Sequence, residues 1–268
     1  LGGTTAGEGD DQTPAQEVVN EIVKAGGRAT ANYADVSDFD ACGEMIKQAL
    51  DEFDGLDILV NNAGILRDRM VFNMTEEEWD IVVAVHMKGT FNTIKHASVV
   101  MRQQRSGRII NTSSSSGLGN AGQTNYAAAK EGIVGITRTI ARDLGRYGVT
   151  CNAIRPTAAT RLTLSPEMEA AAQAAEARGE TSSGGNLAAL DPAAIGALIT
   201  YLASDDAQNV NGRDFMIHGR EVGLYTIPTV EARAFANGSI WNTDDMFEIF
   251  PKTLGQLLNN EFQPADGN

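Results

Sequence analysis

Short apolar runs alternate with amphipathic segments along most of this chain, and this alternation limits the possible fold more than any other feature. The runs "LDILV" at 56–60, "GRIIN" at 107–111 and "DFMIH" at 214–218 have the length of buried strands. The segments between them space their apolar residues as amphipathic helices do. Strands that alternate with helices form a parallel sheet with helices on both faces, so the sequence predicts an α/β, doubly wound fold.

Start and stop signals set the boundaries of the predicted elements. Thr13 can cap a first helix that Gly26 ends. Thr75 and Glu78 form a capping-box pair at the start of a long helix. The predicted elements are helices at 14–25, 37–53, 75–105, 123–146 and 191–203, and strands at 29–33, 56–60, 107–111, 148–154 and, as the last one, 214–218.

Two regions depart from this alternation. Residues 160–190 are rich in alanine, glutamate, serine and glycine, and long insertions of this kind often cover active sites. Residues 219–268 form a tail whose scattered aromatic side chains predict packing, within the chain or on another subunit. We therefore predict one domain over 1–268, with 160–190 as a substrate-covering insertion and 219–268 as a carboxy-terminal extension.

Composition and charge exclude several classes of function. Of the 268 residues, 42% are hydrophobic and 21% are charged, which is enough to bury one substantial core. The formal charge of −14 repels phosphate backbones and anionic membranes, so we expect neither a nucleic acid nor a membrane partner. Cys42 and Cys151 are too few for a disulfide framework, and three scattered histidines offer no metal-ligand spacing. We therefore expect no metal. Since the sequence contains neither a long apolar span nor a signal-peptide pattern, we expect a cytoplasmic protein.

A tyrosine and a lysine stand four positions apart in "TNYAAAKEG". On a helix, Tyr126 and Lys130 would face the same side, and the ammonium would lower the pKa of the phenol toward working pH. That pairing suits a general acid or base. The match is weak by itself, because a tyrosine one turn before a lysine is common on solvated helices.

The surroundings of this pair favour a functional interpretation. Hydroxyl side chains at 112–116 end the preceding strand, "NNAG" ends the strand before it, and "IRPT" ends the strand after the helix. In a parallel α/β sheet these three segments lie at the carboxyl ends of strands, the edge where ligands bind. The sequence therefore predicts a ligand site at this edge.

Together these motifs resemble the short-chain dehydrogenase/reductase family over residues 1 to about 219. Within that family the chain is most similar to the (3R)-hydroxyacyl-CoA dehydrogenase domain of peroxisomal multifunctional β-oxidation enzymes. The similarity is carried by "LGG" at the start, "ANY" before Asp35, "NNAGILRDR", "VHMKGTF", "GRIINTSS" and "GQTNYAAAK". It implies a Rossmann-like sheet and a nicotinamide-dependent oxidoreductase that interconverts a secondary alcohol and a ketone.

The resemblance also implies roles for single residues. Tyr126 would exchange a proton with the substrate oxygen, and Lys130 would perturb Tyr126 and bind the nicotinamide ribose. For the catalytic serine, counting thirteen positions back from Tyr126 selects Ser113, whereas aligning "GRIINTSS" selects Ser114. We prefer Ser114, because the missing residue then falls in the loop "GLGN", where a deletion changes least. Turn or solvent roles are then expected for Ser113, Ser115 and Ser116.

His86 occupies a helix position at which most of the family has an asparagine that connects the lysine to a relay water. A lone histidine on an amphipathic helix is more often structural. The family match supports the hypothesis that a neutral His86 holds the same water and passes the proton itself. His86→Asn should then remain active with an altered pH profile.

The same transfer implies the cofactor contacts. Asp35 and Val36 resemble the pair beside the adenine, while Asn62, Ala63 and Gly64 resemble the adenosine ribose side. Without the resemblance, these residues would be a helix-preceding acid and a tight turn. The segment "PTAAT", which contains Thr157 and Thr160, resembles the multifunctional-enzyme version of the carboxamide contact, with Thr160 as the preferred side-chain donor.

The family's glycine-rich phosphate loop, TGxxxGxG after a first strand, has no counterpart, because no strand precedes "LGGTTAGEG". The resemblance implies that the first strand, this loop and the second strand are missing from the sequence, so the strand at 29–33 lacks neighbours. We therefore expect residues before Leu1 in the working protein. The residue that separates NAD from NADP would be among them, and relatives that begin with "LGG" here usually have an aspartate, which favours NAD, with NADP as the alternative.

Three functions remain open at this point. The first is an NAD-dependent dehydrogenase acting on a 3-hydroxyacyl-CoA or a hydroxysteroid-type substrate. The second is a 3-oxoacyl carrier-protein reductase, which the high negative charge disfavours. The third is a catalytically silent scaffold. Similar proteins form homodimers or homotetramers through the helices predicted at 75–105 and 123–146, so we expect the same here.

Overall fold

The computed structural model describes residue 4, residues 6–158 and residues 190–259. The chain divides into two compact units, Leu1–Tyr225 and Thr226–Asn268. The predicted insertion at 160–190 lies outside the described residues except for Leu190, and so do residues 260–268 of the predicted extension. The single-domain assignment over 1–268 stays a prediction.

The first unit is built on a five-stranded sheet with the order β1-β2-β3-β4-β5. The first three pairings are parallel, and β5 joins β4 as an antiparallel neighbour. The strands are β1 (Ile58–Asn61), β2 (Gly107–Thr112), β3 (Val149–Thr157), β4 (Asp214–His218) and β5 (Glu221–Leu224). This mostly parallel sheet with flanking helices confirms the predicted α/β class.

Six helices of this unit are described, and the predicted boundaries hold to within a few residues. They are α1 (Thr13–Lys24), α2 (Phe39–Phe53), α3 (Glu76–Val83), α4 (Gly89–Gln104), α5 (Thr124–Gly145) and α6 (Ala193–Ala203). The capping box of Thr75 and Glu78 is present at the start of α3. A π-helical turn, Ala84–Lys88, joins α3 to α4, so the single long helix that the sequence predicts contains one local irregularity.

Helices cover both faces of the sheet. Successive strand residues point to opposite sides, so Ile109 and Cys151, which are register partners, pack with α4 and α5 on one face. Ile110 and Ile154 pack on the other face with Leu202 of α6. The central strands β2 and β3 are largely buried on both faces, as expected of a doubly wound sheet, whereas β1 alternates exposed and half-buried residues.

Two strand predictions were wrong. Residues 29–33 form no strand, because the described chain offers no neighbouring strand and Gln48 of α2 instead bonds the Ala31 carbonyl at 3.2 Å. The strand at 214–218 is not the last one, since β5 follows it through a turn at Gly219, where φ is +55°. The second helix is capped by Asp38, whose carboxylate accepts from the Ala41 N–H.

The second unit contains α7 (Thr243–Ile249) and two short 3-10 turns, Phe250–Lys252 and Leu254–Leu257. Asn242 caps α7 by accepting from the Asp245 N–H at 2.8 Å, and Asn237 donates to the Asp245 carboxylate at 3.0 Å. These polar contacts order the beginning of the helix.

Candidate active site

The carboxyl ends of the first three strands lie side by side and open into one cavity of about 490 Å³. Polar groups from strand ends and from α5 meet apolar side chains of α6 in its wall. The lining residues are Val60, Asn62, Gly64, His86, Thr112, Ser113, Tyr126, Lys130, Pro156, Ala158, Pro192, Ile195, Gly196 and Ile199. The cavity therefore brings Tyr126, Lys130, His86 and Gly64 together as the sequence predicts.

Lys130 is the buried cation of this cavity. Its Nζ donates to the Thr112 carbonyl at 2.7 Å, and only 3% of the residue is exposed. Burial lowers the pKa of Lys130 to about 7, because a desolvated ammonium is costly. The Thr112 bond uses one of the three N–H donors, which leaves the others for hydroxyl groups of a ligand.

Tyr126 lies one turn before Lys130 on α5, with the lysine Nζ 5.4 Å from the centre of its ring. Burial raises the pKa of Tyr126, a hydrogen bond with Ser114 lowers it, and the charge of Asp68 raises it again, with a net shift upward. The prediction that Lys130 lowers this pKa was therefore wrong for the protein alone. The ammonium lies against the ring and is directed to the Thr112 carbonyl, so it does not stabilise the phenolate directly.

The two candidate serines have different surroundings. Ser114 acts as the hydrogen-bonding group that lowers the pKa of Tyr126, and its Oγ accepts from the Ser116 N–H at 3.2 Å as the cap of a 3-10 turn. Ser113 is buried and donates through its Oγ to the Lys130 carbonyl at 2.8 Å. The turn or solvent role expected for Ser113 was wrong, because its side chain ties the strand end to α5.

His86 lies within the π-helical turn and stacks edge to face on Tyr126, with the ring centres 5.1 Å apart. Its Nε2 is 2.8 Å from the carbonyl oxygen and 3.0 Å from the amide nitrogen of Ile65, so it donates to one or accepts from the other, depending on the tautomer. Among the described residues Nδ1 has no hydrogen-bond partner. Burial and the charge of Lys130 lower the pKa of His86 to about 3, so the ring is neutral at working pH.

Gly64 is required by this packing. A Cβ added to Gly64 would lie 2.4 Å from the His86 Cε1, which is closer than two carbon atoms can approach. The turn that follows β1 can therefore pass over the histidine only with a glycine at this position.

A smaller cavity of about 140 Å³ lies next to the first and shares Val60 and Asn62 with it. Its wall is mostly apolar and includes the predicted adenosine-side residues Val36, Asn62 and Ala63.

The other predicted cofactor residues lie differently. The Asp35 carboxylate accepts from the Ser37 N–H at 2.8 Å and does not line either cavity described here. Thr157 ends β3 between Pro156 and Ala158, which both line the larger cavity. Thr160 lies outside the described residues.

The sequence did not reveal two groups of the site. One is the Thr112 carbonyl, a backbone group that every residue has and that a sequence therefore cannot single out. The other is the chain of side chains in which Asn120 donates to Gln123 at 2.7 Å and Gln123 donates to Asp68 at 2.6 Å. The motif "ILRDR" contains Asp68, but its partner stands 55 positions away, so only the fold reveals the pair.

The residues present fit a nicotinamide dinucleotide. Among the described residues the Lys130 Nζ donates only to the Thr112 carbonyl, and Gly64 leaves the backbone of the turn accessible where a Cβ would block it. The two adjoining cavities suit the two halves of a dinucleotide at the carboxyl edge of a parallel sheet. Fold and site together define an α/β oxidoreductase of the dinucleotide-binding type.

Comparison with known proteins identifies the family. The sequence profile described as Enoyl-(Acyl carrier protein) reductase matches residues 9–219. A short chain dehydrogenase from Mycobacterium avium, known as a crystal structure, superposes with a TM-score of 0.75 at 40% identity, over 90% of this chain and 78% of that one. The chain belongs to the short-chain dehydrogenase/reductase family, whose members generally use NAD or NADP.

Several relatives have defined activities in their names. Hydroxyacyl-CoA dehydrogenase ChsB1 of Mycobacterium tuberculosis is 41% identical over 245 residues, covering 87% of this chain and 74% of that protein. Peroxisomal multifunctional enzyme type 2 of Drosophila melanogaster is 49% identical over 61% of this chain, and the match spans only 27% of that longer protein. A 3-oxoacyl-[acyl-carrier-protein] reductase of Synechocystis is 46% identical over 54% of this chain and 59% of that protein.

Within the part of the chain that the structure describes, no helix has the length and apolar character needed to cross a membrane.

Proposed function

We propose that this protein is an NAD-dependent dehydrogenase that interconverts the secondary alcohol and the ketone of a 3-hydroxyacyl thioester. The observation that carries the proposal is the pair of Tyr126 and the buried Lys130 in the lining of one cavity, with Ser114 at the adjoining strand end acting on the Tyr126 phenol. A relative named hydroxyacyl-CoA dehydrogenase, 41% identical over 87% of this chain, supports the substrate class. A hydroxysteroid-type ring system is the other bulky alcohol compatible with the cavity.

Tyr126 would accept the proton of the substrate hydroxyl. Its phenol is half-buried at the cavity wall, and the Ser114 hydroxyl bonds the same oxygen, so a substrate oxygen placed between them would contact both. A nicotinamide held in the cavity would supply the acceptor for the hydride of the alcohol carbon. Ser114 would donate to the developing carbonyl oxygen and hold it in line.

Lys130 and His86 would carry the proton away from Tyr126. Lys130, with its pKa lowered to about 7, can exchange a proton near neutral pH and can donate to the ribose hydroxyls. His86 is 2% exposed and has an unpaired Nδ1, so it can bind a relay water on its free nitrogen. This arrangement supports the role proposed for the histidine from its position in "VHMKGTF".

NAD rather than NADP is proposed from the resemblance, because relatives that begin with "LGG" at this point usually have an aspartate where the two cofactors are distinguished. Measuring the dissociation constants of both reduced nucleotides by fluorescence would test this choice. Tighter binding of NADPH would contradict it.

Turnover of defined thioesters tests the reaction. The purified protein would be mixed with NAD⁺ and with the R or S form of a short and a long 3-hydroxyacyl-CoA, and formation of reduced nicotinamide would be followed by absorbance. Tyr126→Phe should abolish turnover without weakening cofactor binding. Tyr201→Phe is the matched control, because Tyr201 is 49% exposed on α6 and outside the cavity lining.

Two alternative functions would give different results in this assay. A carrier-protein reductase would prefer a 3-oxoacyl carrier protein with NADPH over the CoA thioester, and the relative from Synechocystis is the reason to include that substrate. A silent scaffold would oxidise none of these thioesters, and Tyr126→Phe would then leave the absorbance signal unchanged. Either outcome would replace the proposed reaction.

We also propose a homodimer or homotetramer. Phe91 and Val99 of α4 are 49% and 40% exposed, which is an apolar surface that a second copy of the chain could cover. Light scattering after size-exclusion chromatography should give a mass of twice or four times 28.5 kDa, and a monomer would contradict the proposal.

A further inference from the structure

A buried arginine that does not line the cavity contacts the backbone of Ser114, the proposed catalytic serine. Arg155 stands near the end of β3, and only 1% of its side chain is exposed. Its Nη1 donates to the Ser114 carbonyl at 2.7 Å. A buried arginine needs partners for its charge, and the choice of this particular carbonyl as a partner links it to the site.

Two carboxylates fix the direction of the Arg155 guanidinium. Asp214 of β4 accepts from Nε at 2.9 and 3.1 Å and lies 2.8 Å from Nη2. Glu131 of α5 accepts from Nη2 at 2.8 Å. Burial would lower the pKa of Arg155, but the hydrogen bonds to Asp214 and Glu131 outweigh it and raise the pKa. The guanidinium is planar, and the carboxylates of Asp214 and Glu131 hold its Nε and Nη2, so its Nη1 is directed at the Ser114 carbonyl.

The Ser114 backbone is held by this contact and by its neighbour. The Ser113 N–H donates to the Ile154 carbonyl at 2.7 Å, one residue before Arg155 on the same strand. Two successive serines are therefore tied to two successive residues of β3. The Ser114 carbonyl also accepts from the Gly117 N–H at 3.1 Å, which closes the 3-10 turn that Ser114 caps.

These contacts determine where the Ser114 hydroxyl points. Its oxygen accepts from the Ser116 N–H, so its hydrogen is free for Tyr126 or for the substrate. A shift of the Ser114 backbone would move this hydroxyl away from Tyr126. The Arg155 contact is the side-chain restraint on that backbone.

We propose that Arg155 is a positioning residue of the active site, which orients Ser114 toward Tyr126 through the Ser114 carbonyl while Asp214 and Glu131 hold the guanidinium. The proposal rests on the proposed function, since it assigns a role within the same catalytic group. It adds three residues to that group, and none of them lines the cavity.

Arg108 provides a matched control. It is also a buried arginine on a strand of the same sheet, and its Nη2 lies 3.2 Å from the Asp205 carboxylate while its Nε donates to the Ser204 carbonyl. It stands near the beginning of β2, at the opposite end of the sheet from Ser114. Loss of either arginine should lower stability, but only loss of Arg155 should change the site.

The experiment compares Arg155→Lys, Arg155→Met, the double variant Arg155→Met/Asp214→Asn, and Arg108→Met in the full chain. Each is measured for melting temperature, cofactor dissociation constant, kcat with a 3-hydroxyacyl-CoA, and the titration of Tyr126. That titration is read from tyrosinate absorbance in the near ultraviolet, with the same variant carrying Tyr126→Phe as the reference. It requires neither substrate nor turnover.

We expect the Arg155 variants that fold to lose kcat by about tenfold to a hundredfold, as displaced catalytic groups do, with an unchanged cofactor dissociation constant. The Tyr126 titration should move to higher pH, because the hydrogen bond from Ser114 that lowers its pKa is weakened. Lys130, His86 and Asp68, the other groups near Tyr126, are the same in every variant. Arg108→Met should lower the melting temperature and leave kcat and the titration unchanged.

The proposal is overturned if a folded Arg155 variant keeps both kcat and the Tyr126 titration of the parent, or if Arg108→Met shifts them equally. If Arg155→Met does not fold because Asp214 is left buried and unpaired, the double variant removes that charge. Arg155→Lys keeps a cation beside the carboxylates but lacks the guanidinium N–H that binds the Ser114 carbonyl. An absence of turnover in the parent protein would contradict the proposed function instead. The tyrosinate titration would still decide the role of Arg155.

Discussion

The two adjacent serines provide the sharpest test of the site, because each has a different partner. Ser114→Ala removes the hydroxyl that bonds Tyr126, and Ser113→Ala removes the one that bonds the Lys130 carbonyl at 2.8 Å. Loss of a donor that stabilises a developing oxyanion costs about 10²–10³ in kcat, or about 3–4 kcal/mol of transition-state stabilisation. Loss of a buried structural hydrogen bond costs about 1–3 kcal/mol of the free energy of unfolding.

The two variants should therefore change different quantities, Ser114→Ala the rate and Ser113→Ala the stability. Ser114→Ala should lose kcat by about two to three orders of magnitude and keep its melting temperature. Ser113→Ala should keep most of its kcat and melt lower, by roughly 2–4 °C for each kcal/mol lost. Steady-state kinetics with saturating cofactor and a thermal melt measure both quantities on the same samples. If Ser113→Ala loses kcat while Ser114→Ala does not, the assignment is reversed.

Three further predictions follow from the buried groups of the cavity. As the pH falls from 6.5 to about 3, His86 binds a proton in the unfolded chain but stays neutral in the folded one. The free energy of unfolding of the parent should therefore fall by up to about 1.4 kcal/mol per pH unit relative to His86→Asn. His86→Asn should remain active with an altered pH profile, and an unchanged rate and pH profile in His86→Ala would contradict the relay. Lys130→Met should lose activity. Between pH 7 and 10.5 the folded lysine has released its proton while the unfolded one still holds it, so the free energy of unfolding of the parent should rise with pH. In urea unfolding the rise should reach up to about 1.4 kcal/mol per pH unit relative to Lys130→Met. Gly64→Ala should cost about 1–3 kcal/mol of stability by overpacking on His86, and a melting temperature equal to that of the parent would show that the turn can move.

The order of the elements was predictable from the sequence, because it is encoded locally. Apolar runs of strand length and helical spacing predict β1 to β4 and the helices α1 to α6 to within a few residues, with α3 and α4 predicted as one helix. The i, i+4 spacing of Tyr126 and Lys130 places both on one side of α5 in any fold. Parallel strands end at one edge, so the meeting of three strand ends at the cavity also follows from sequence order.

Where a pattern needed a distant partner, the sequence was insufficient. The segment at 29–33 has the composition of a strand, but a strand forms only when another one pairs with it, and the described chain offers none. The pKa of Tyr126 moves upward instead of downward because burial, which depends on the whole fold, outweighs the hydrogen bond from Ser114 that lowers it. The contacts of His86 with Ile65 and Gly64, which lie more than twenty positions away, are likewise visible only in the fold.

The sequence by itself thus determined the α/β class, the order of the elements and the tyrosine–lysine pair, because periodicity and spacing act over one or two turns of chain. Tertiary structure decided which serine meets Tyr126, that Lys130 is held by a backbone carbonyl, and that Arg155 reaches Ser114 from 41 positions away. Those contacts depend on strand register and on burial. Both arise only when distant segments pack together and exclude water, so no local pattern records them.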